Sequence, residues 1–151
     1  MSLGLEGKAK ALVLDANILI RAVLGRRVHV LLETYASHVH FLTPEVAYQE
    51  IRTHLPEILT RRGLAPTTAR TLLEQGILSR LPLLVVPILH EVYAEREQEA
   101  RKRLVGRDEA DWPYLALALQ LGCPIWTEDT DFFGSGVATW TTDRITLYLE
   151  A

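Results

Sequence analysis

Four carboxylates in this chain, Asp15, Glu50, Asp111 and Asp129, stand where an α/β fold would bring them together. Asp15 closes the apolar run Ala11-Leu12-Val13-Leu14, and Asp129 follows a second, Ile125-Trp126-Thr127. Asp111 opens a helix-like stretch, and Glu50 lies inside one. Carboxylates gathered in one place repel one another and lose hydration. A hard dication neutralises such a cluster, and oxygen-only donors favour Mg²⁺ or Mn²⁺. These residue types predict a metal-dependent phosphodiester hydrolase.

Each acid also has a plain structural role to weigh. Asp15 fits an N-cap of the helix that follows, a role Asn17 can take instead. Glu50 falls among Val46, Ala47 and Ile51, at the edge of an apolar stripe where a solvated acid is common. Glu45, Asp108 and Glu109 read as acids favoured by a helix dipole. Pro113 is tolerated only in a first helical turn, so the regular helix cannot begin much before Ala110, and Asp111 lies in or beside that turn. Asp129 and Asp131 fit a polar loop, yet they reach Asp15 if their two strands are near neighbours; Thr127 would then hydrogen-bond and orient Asp15.

The elements that must position these groups alternate. Residues 10–14 read as a buried parallel strand, followed by helices over 17–24 and 28–35. A strand at 38–42 leads to Thr43 as N-cap and Pro44 as first residue of the helix bearing Glu50. Helical stretches over 56–62 and 66–75 end at Gly63 and Gly76, and a strand at 83–86 precedes a helix over 88–103. Residues 113–121 form an Ala/Leu helix stopped by Gly122, then come strands at 124–127 and 137–140 and a last helix from about 143 to 150. Strands alternating with helices predict a three-layer α/β/α fold on a central parallel sheet of four or five strands. In such sheets the functional crevice lies beyond the carboxyl ends of the strands.

The length of 151 residues predicts a single domain over 1–151, with residues 1–8 as a flexible or cloning-derived tail. The net charge of −3 does not mark a nucleic-acid binder, but 13 of the 16 basic residues are Arg, which suits bidentate phosphate contacts. Arg21, Arg26, Arg27 and Arg52 lie near the acids in sequence and are candidate phosphate contacts, whereas Arg101-Lys102-Arg103 reads as a helix end. Cys123 stands alone, so no intrachain disulfide forms, as in a reducing compartment. His38 and His40 share a strand face without a further zinc ligand. No signal pattern, membrane span, Gly-rich phosphate loop or Gly-x-Ser-x-Gly elbow is present in the sequence, so the expected location is cytoplasmic.

The stretches Val13-Leu14-Asp15-Ala16-Asn17-Ile18-Leu19, Thr43-Pro44-Glu45-Val46-Ala47-Tyr48-Gln49-Glu50-Ile51, Asp108-Glu109-Ala110-Asp111-Trp112-Pro113-Tyr114-Leu115-Ala116-Leu117-Ala118 and Trp126-Thr127-Glu128-Asp129-Thr130-Asp131-Phe132 resemble the motifs of PIN domains, nucleases found in VapC-type toxins. The resemblance implies Mg²⁺- or Mn²⁺-dependent cleavage of single-stranded RNA. It matches Asp15, Glu50, Asp111 and Asp129 to the four family acids, as catalytic and metal-binding residues, and Asp131 to a less constant fifth; Asn17 and Thr127 match supporting polar residues. It also implies a small antitoxin protein as partner, and a homodimer. An apolar antitoxin groove is expected on the helices spanning 44–76, lined by Leu55, Ile58, Leu59, Leu72 and Leu73. The competing reading is a PIN-like scaffold that binds RNA or protein without cutting. A phosphatase of the haloacid-dehalogenase type would need a second Asp where Asn17 stands, and a receiver domain would need a later Lys.

Overall fold

The computed structural model describes Lys8 and residues 10–151, so the tail expected over 1–8 lies outside the described residues except for Lys8. The chain runs β1 (Lys10–Leu14), α1 (Ala16–Leu24), α2 (Arg27–Tyr35), β2 (Val39–Pro44) and α3 (Val46–Arg61). Next come α4 (Pro66–Thr71), a π-helical turn (Leu72–Ile77) and α5 (Leu78–Leu84). Then follow β3 (Val86–Ile88), α6 (His90–Tyr93), a 3₁₀ turn (Ala94–Arg96), α7 (Glu97–Arg103) and a second 3₁₀ turn (Glu109–Asp111). The last elements are α8 (Trp112–Leu121), β4 (Ile125–Trp126), a third 3₁₀ turn (Thr130–Phe132), β5 (Thr139–Trp140) and α9 (Ile145–Glu150).

The five strands form one parallel sheet in the order β3-β2-β1-β4-β5, flanked by helices on both faces. The apolar runs that announce β1 and β4 are buried on both faces: Leu12, Val13, Leu14, Ile125 and Trp126 are sealed from solvent. α8 is buried from Trp112 to Ala118, which explains its lack of a polar face; Gly122, at φ +65°, ends it in the left-handed conformation that suits glycine. The chain then returns directly into β4.

Three expectations are corrected. Thr43 and Pro44 do not start a helix: they end β2 and pair with Pro87 and Ile88 of β3. Thr43 Oγ1 donates to the Leu14 carbonyl at 2.8 Å instead of capping α3. Gly76 does not stop its helix; the helical path continues through the π-helical turn to Leu84, so Leu83 and Leu84 are helical and the strand lies two to three residues later than expected. Ile88 accordingly ends β3 rather than opening a helix. Pro87 fits because β3 is an edge strand, where a missing N–H breaks no ladder. Among the described residues no helix is long and apolar enough to cross a membrane.

Candidate metal centre

Leu14 pairs with Trp126 across β1 and β4. The residues that follow them, Asp15 and Thr127, therefore meet at the carboxyl end of the sheet. Thr127 Oγ1 donates to Asp15 Oδ2 and itself accepts the Asp129 N–H at 2.9 Å. Asp15 Oδ1 accepts the Ile18 N–H at 2.9 Å. Asp15 is thus itself the N-cap of α1, with the extended backbone a cap requires. Asn17, already inside the helix, is exposed, and among the described residues it is Asp15 rather than Asn17 that caps α1. Only 6% of Asp15 is exposed, and burial, helped by the charges of Asp129 and Glu50, pushes its carboxyl up to about 6 against the two hydrogen bonds.

The other acids arrive from two turns. Asp108 Oδ1 accepts the Ala110 N–H at 3.0 Å and caps the 3₁₀ turn, the structural role read for it from sequence. That leaves Asp111, at the start of α8, with no capping bond. Asp129 Oδ1 accepts the Asp131 N–H at 2.9 Å, turning the chain so that both acids face Asp111. Carboxylate oxygens of Asp111, Asp129 and Asp131 lie within 4.8 Å of one another. Burial, then repulsion from Asp108, Asp129, Glu50 and Asp15, raises Asp111 to about 7. Asp131, expected as a supporting residue, is one of the three; Asp15 and Glu50 stand outside that triad but close enough for their charge to act on it.

Glu50 is half-buried on α3 and accepts the Tyr114 hydroxyl at 3.0 Å. Burial raises its carboxyl, and the Tyr114 bond opposes that rise. Tyr114 did not stand out in the sequence. It lies three residues after Asp111 on α8, bonds Glu50, and sets its ring edge-on to Phe132 at 6.4 Å between centroids. One buried phenol therefore ties together the three segments that carry Asp111, Glu50 and Asp131. The available signal was a hydroxyl in an otherwise apolar helix at i+3 from an acid. Arg107 was also missed, and Arg103, which ends α7 as expected, has a further contact. Arg107 Nη1 donates to the carbonyls of Asp131 at 2.7 Å and Phe133 at 2.5 Å, and Arg103 Nη1 to that of Ser135 at 2.8 Å. Both brace the loop after Asp129 through its backbone.

Among the described residues no Lys or Arg pairs with the side chains of Asp15, Glu50, Asp111, Asp129 or Asp131. An all-oxygen donor set in which Asp15, Glu50 and Asp111 are raised, and which no Lys or Arg neutralises among the described residues, fits a hard dication. The arginines divide. Arg52 turns to Glu74 at 3.9 Å, Arg21 to Glu128 at 3.9 Å, and Arg27 to Asp143 at 3.2 Å, while Arg26 is exposed. Of the residues expected to line an apolar groove, Leu55, Leu59 and Leu73 are core, Ile58 is half-buried, and Leu72 is 43% exposed. Leu72 instead faces a groove of about 360 Å³ with Ile77, Leu81 and Leu84 on one side and Ala22 and Val23 of α1 on the other.

Known proteins bear on this geometry. The family profile of the PIN domain matches residues 13–150. The fold is similar to VapBC2 from Rickettsia felis bound to a promoter DNA fragment: TM-score 0.65, 13% identity, covering 87% of this chain and 98% of that one. It is also similar to PAE2754 from Pyrobaculum aerophilum (TM-score 0.64, 18% identity, 99% and 96% covered). A toxin–antitoxin complex from Klebsiella pneumoniae is a further relative in fold (TM-score 0.59, 20% identity, 86% and 96% covered). No curated protein sequence matches significantly. The chain belongs to the PIN domain family.

Proposed function

We propose that this chain is a single-domain, cytoplasmic endoribonuclease that hydrolyses single-stranded RNA with Mg²⁺ or Mn²⁺. The observation that carries the reading is the convergence of Asp111, Asp129 and Asp131 within 4.8 Å beside the buried Asp15. Asp111, Asp129 and Asp131 would hold the cation, with Asp15 adjoining. When bound, the cation polarises the phosphoryl oxygen and acidifies a water. Glu50, outside the triad, would orient that water or take its proton, and the Tyr114 hydroxyl bonded to it would hold its carboxylate in place. Thr127 holds Asp15 in one orientation and ties it to the Asp129 backbone.

We assign the chain the toxin role of a toxin–antitoxin pair. Support comes from relatives in fold that are toxin–antitoxin complexes and from the apolar groove between α1 and α5, which suits an apolar segment of a small antitoxin. The test of the activity is cleavage of a labelled single-stranded RNA with Mg²⁺ or Mn²⁺, comparing wild type with Asp15→Asn and Asp111→Asn. Metal-dependent cleavage lost in both variants is the expected result. Cleavage surviving in both would remove these acids from the site, and no cleavage by wild type would favour a binding scaffold.

A further inference from the structure

Beyond the acidic centre, one charged cleft stands out in a chain of net charge −3. Arg21 from α1, Arg26 and Arg27 from the start of α2, and Arg62 from the end of α3 open onto a cavity of about 500 Å³. Arg21, Arg26 and Arg27 are near one another in sequence, and the end of α3 brings Arg62 to them. Glu128 and Asp143 are the acids on the same wall, so four guanidinium groups face two carboxylates. Arg27 is drawn to Asp143 and to the Thr142 carbonyl, each at 3.2 Å, and Arg21 to Glu128 at 3.9 Å; both arginine side chains are more than half exposed, so these contacts hold them only weakly. Arg26 and Arg62 have no carboxylate partner among the described residues. Glu128 immediately precedes Asp129, and Arg21 lies six residues after Asp15, less than two helical turns along α1, so two members of the cleft wall are carried by the segments that carry Asp129 and Asp15.

We infer that this cleft binds phosphates of the single-stranded RNA on one side of the scissile bond, through Arg21, Arg26, Arg27 and Arg62. Resting on the nuclease reading above, it gives that site a direction along the strand. The acidic centre repels a polyanion, so the substrate must be held by cations placed beside that centre rather than within it. Guanidinium forks match phosphate oxygens in pairs. Arg52, expected near the acids, does not line this cleft, and Arg62 does. A protein partner fits less well, because the cleft wall is polar whereas the neighbouring groove beyond Gly25 is apolar.

The experiment measures binding of a short fluorescein-labelled single-stranded RNA in EDTA, across a salt series, using the full chain. The Arg26→Ala/Arg62→Ala double variant removes two exposed side chains without carboxylate partners among the described residues; Arg70→Ala/Arg80→Ala removes the same charge elsewhere. The expected result is about a tenfold loss of affinity in the first variant and a salt slope flatter by about 1.4, the loss of two single-strand phosphate contacts. The second variant should stay within about twofold of wild type. Equal binding by wild type and the first variant, equal losses in both variants, or no RNA binding by wild type would overturn the inference. So would loss of binding to an acidic polypeptide, poly-glutamate, with RNA affinity unchanged. Cleavage in Mn²⁺ separates the two readings. Wild type that cuts while the first variant binds normally would discard the cleft and keep the nuclease; cleft-dependent binding without any cleavage would do the reverse.

Discussion

Two neighbouring strand ends on one edge of the sheet use the same residue types differently. At the β1–β4 end, Thr127 donates to a carboxylate, Asp15, which is buried and raised to about 6. At the β2–β3 end, Thr43 donates to a backbone carbonyl at 2.8 Å, and the acid after the strand, Glu45, spends its carboxylate on the His90 N–H at 2.9 Å. Both threonines are buried and both acids follow a strand. One end becomes an unneutralised acidic centre, and the other is a satisfied structural joint. A strand-end acid is therefore not enough. What sets Asp15 apart is burial beside acids delivered by other elements, Asp129 from the loop after β4 and Asp111 from the start of α8.

That contrast is breakable by substitution. Thr127→Val should lower metal-dependent RNA cleavage about 10–100-fold, because Asp15 loses its orienting donor and Asp129 its tether. Steady-state kinetics of the purified variant check it. Tyr114→Phe removes one hydrogen bond to a charged group and should lower kcat about tenfold, with KM for RNA little changed. An equal rise in KM would reassign Tyr114 to substrate binding.

The acidic centre also predicts a pH dependence of stability. Folding raises the Asp15 carboxyl from 3.8 to about 6 and that of Asp111 from 3.8 to about 7. The folded state thus prefers the protonated forms. Their stabilising contribution is complete below about pH 4 and is lost as pH rises through 6 to 7, on the order of 3 kcal/mol from Asp15. Melting of the metal-free protein should fall between pH 5 and 8, with Mn²⁺ restoring much of the loss at pH 8. Thr43→Val, which removes a hydrogen bond to the Leu14 carbonyl next to Asp15, should cost about 1 kcal/mol of stability in denaturant melts.

The sheet's centre was legible because its strands are uninterrupted apolar runs, and α8 because Ala and Leu fill it from a proline near its start to a left-handed glycine. The β2–β3 edge was not. Thr43-Pro44 carries a strong helix-start signal, yet cross-strand pairing with Pro87 and Ile88 overrides it, a long-range effect without local trace. Gly76 likewise reads as a stop, but a π-helical turn absorbs it. Of the candidate site, the acids were legible as strand-end and helix-start residues. Which oxygens converge was not, because that depends on the turns capped by Asp108 and Asp129. Tyr114 was hidden because its role lies in a contact with Glu50, 64 residues away in the chain. The arginine cleft was half legible: three of its members cluster in sequence, while Arg62 joins them only through the end of α3.

The central claim is that the β1–β4 end is a cation site. Its most direct test is Mn²⁺ titration by electron paramagnetic resonance at pH 8, with wild type and Asp111→Asn. The account predicts saturable binding by wild type that the variant loses or weakens at least tenfold. Absence of binding by wild type, or equal binding by the variant, would contradict it.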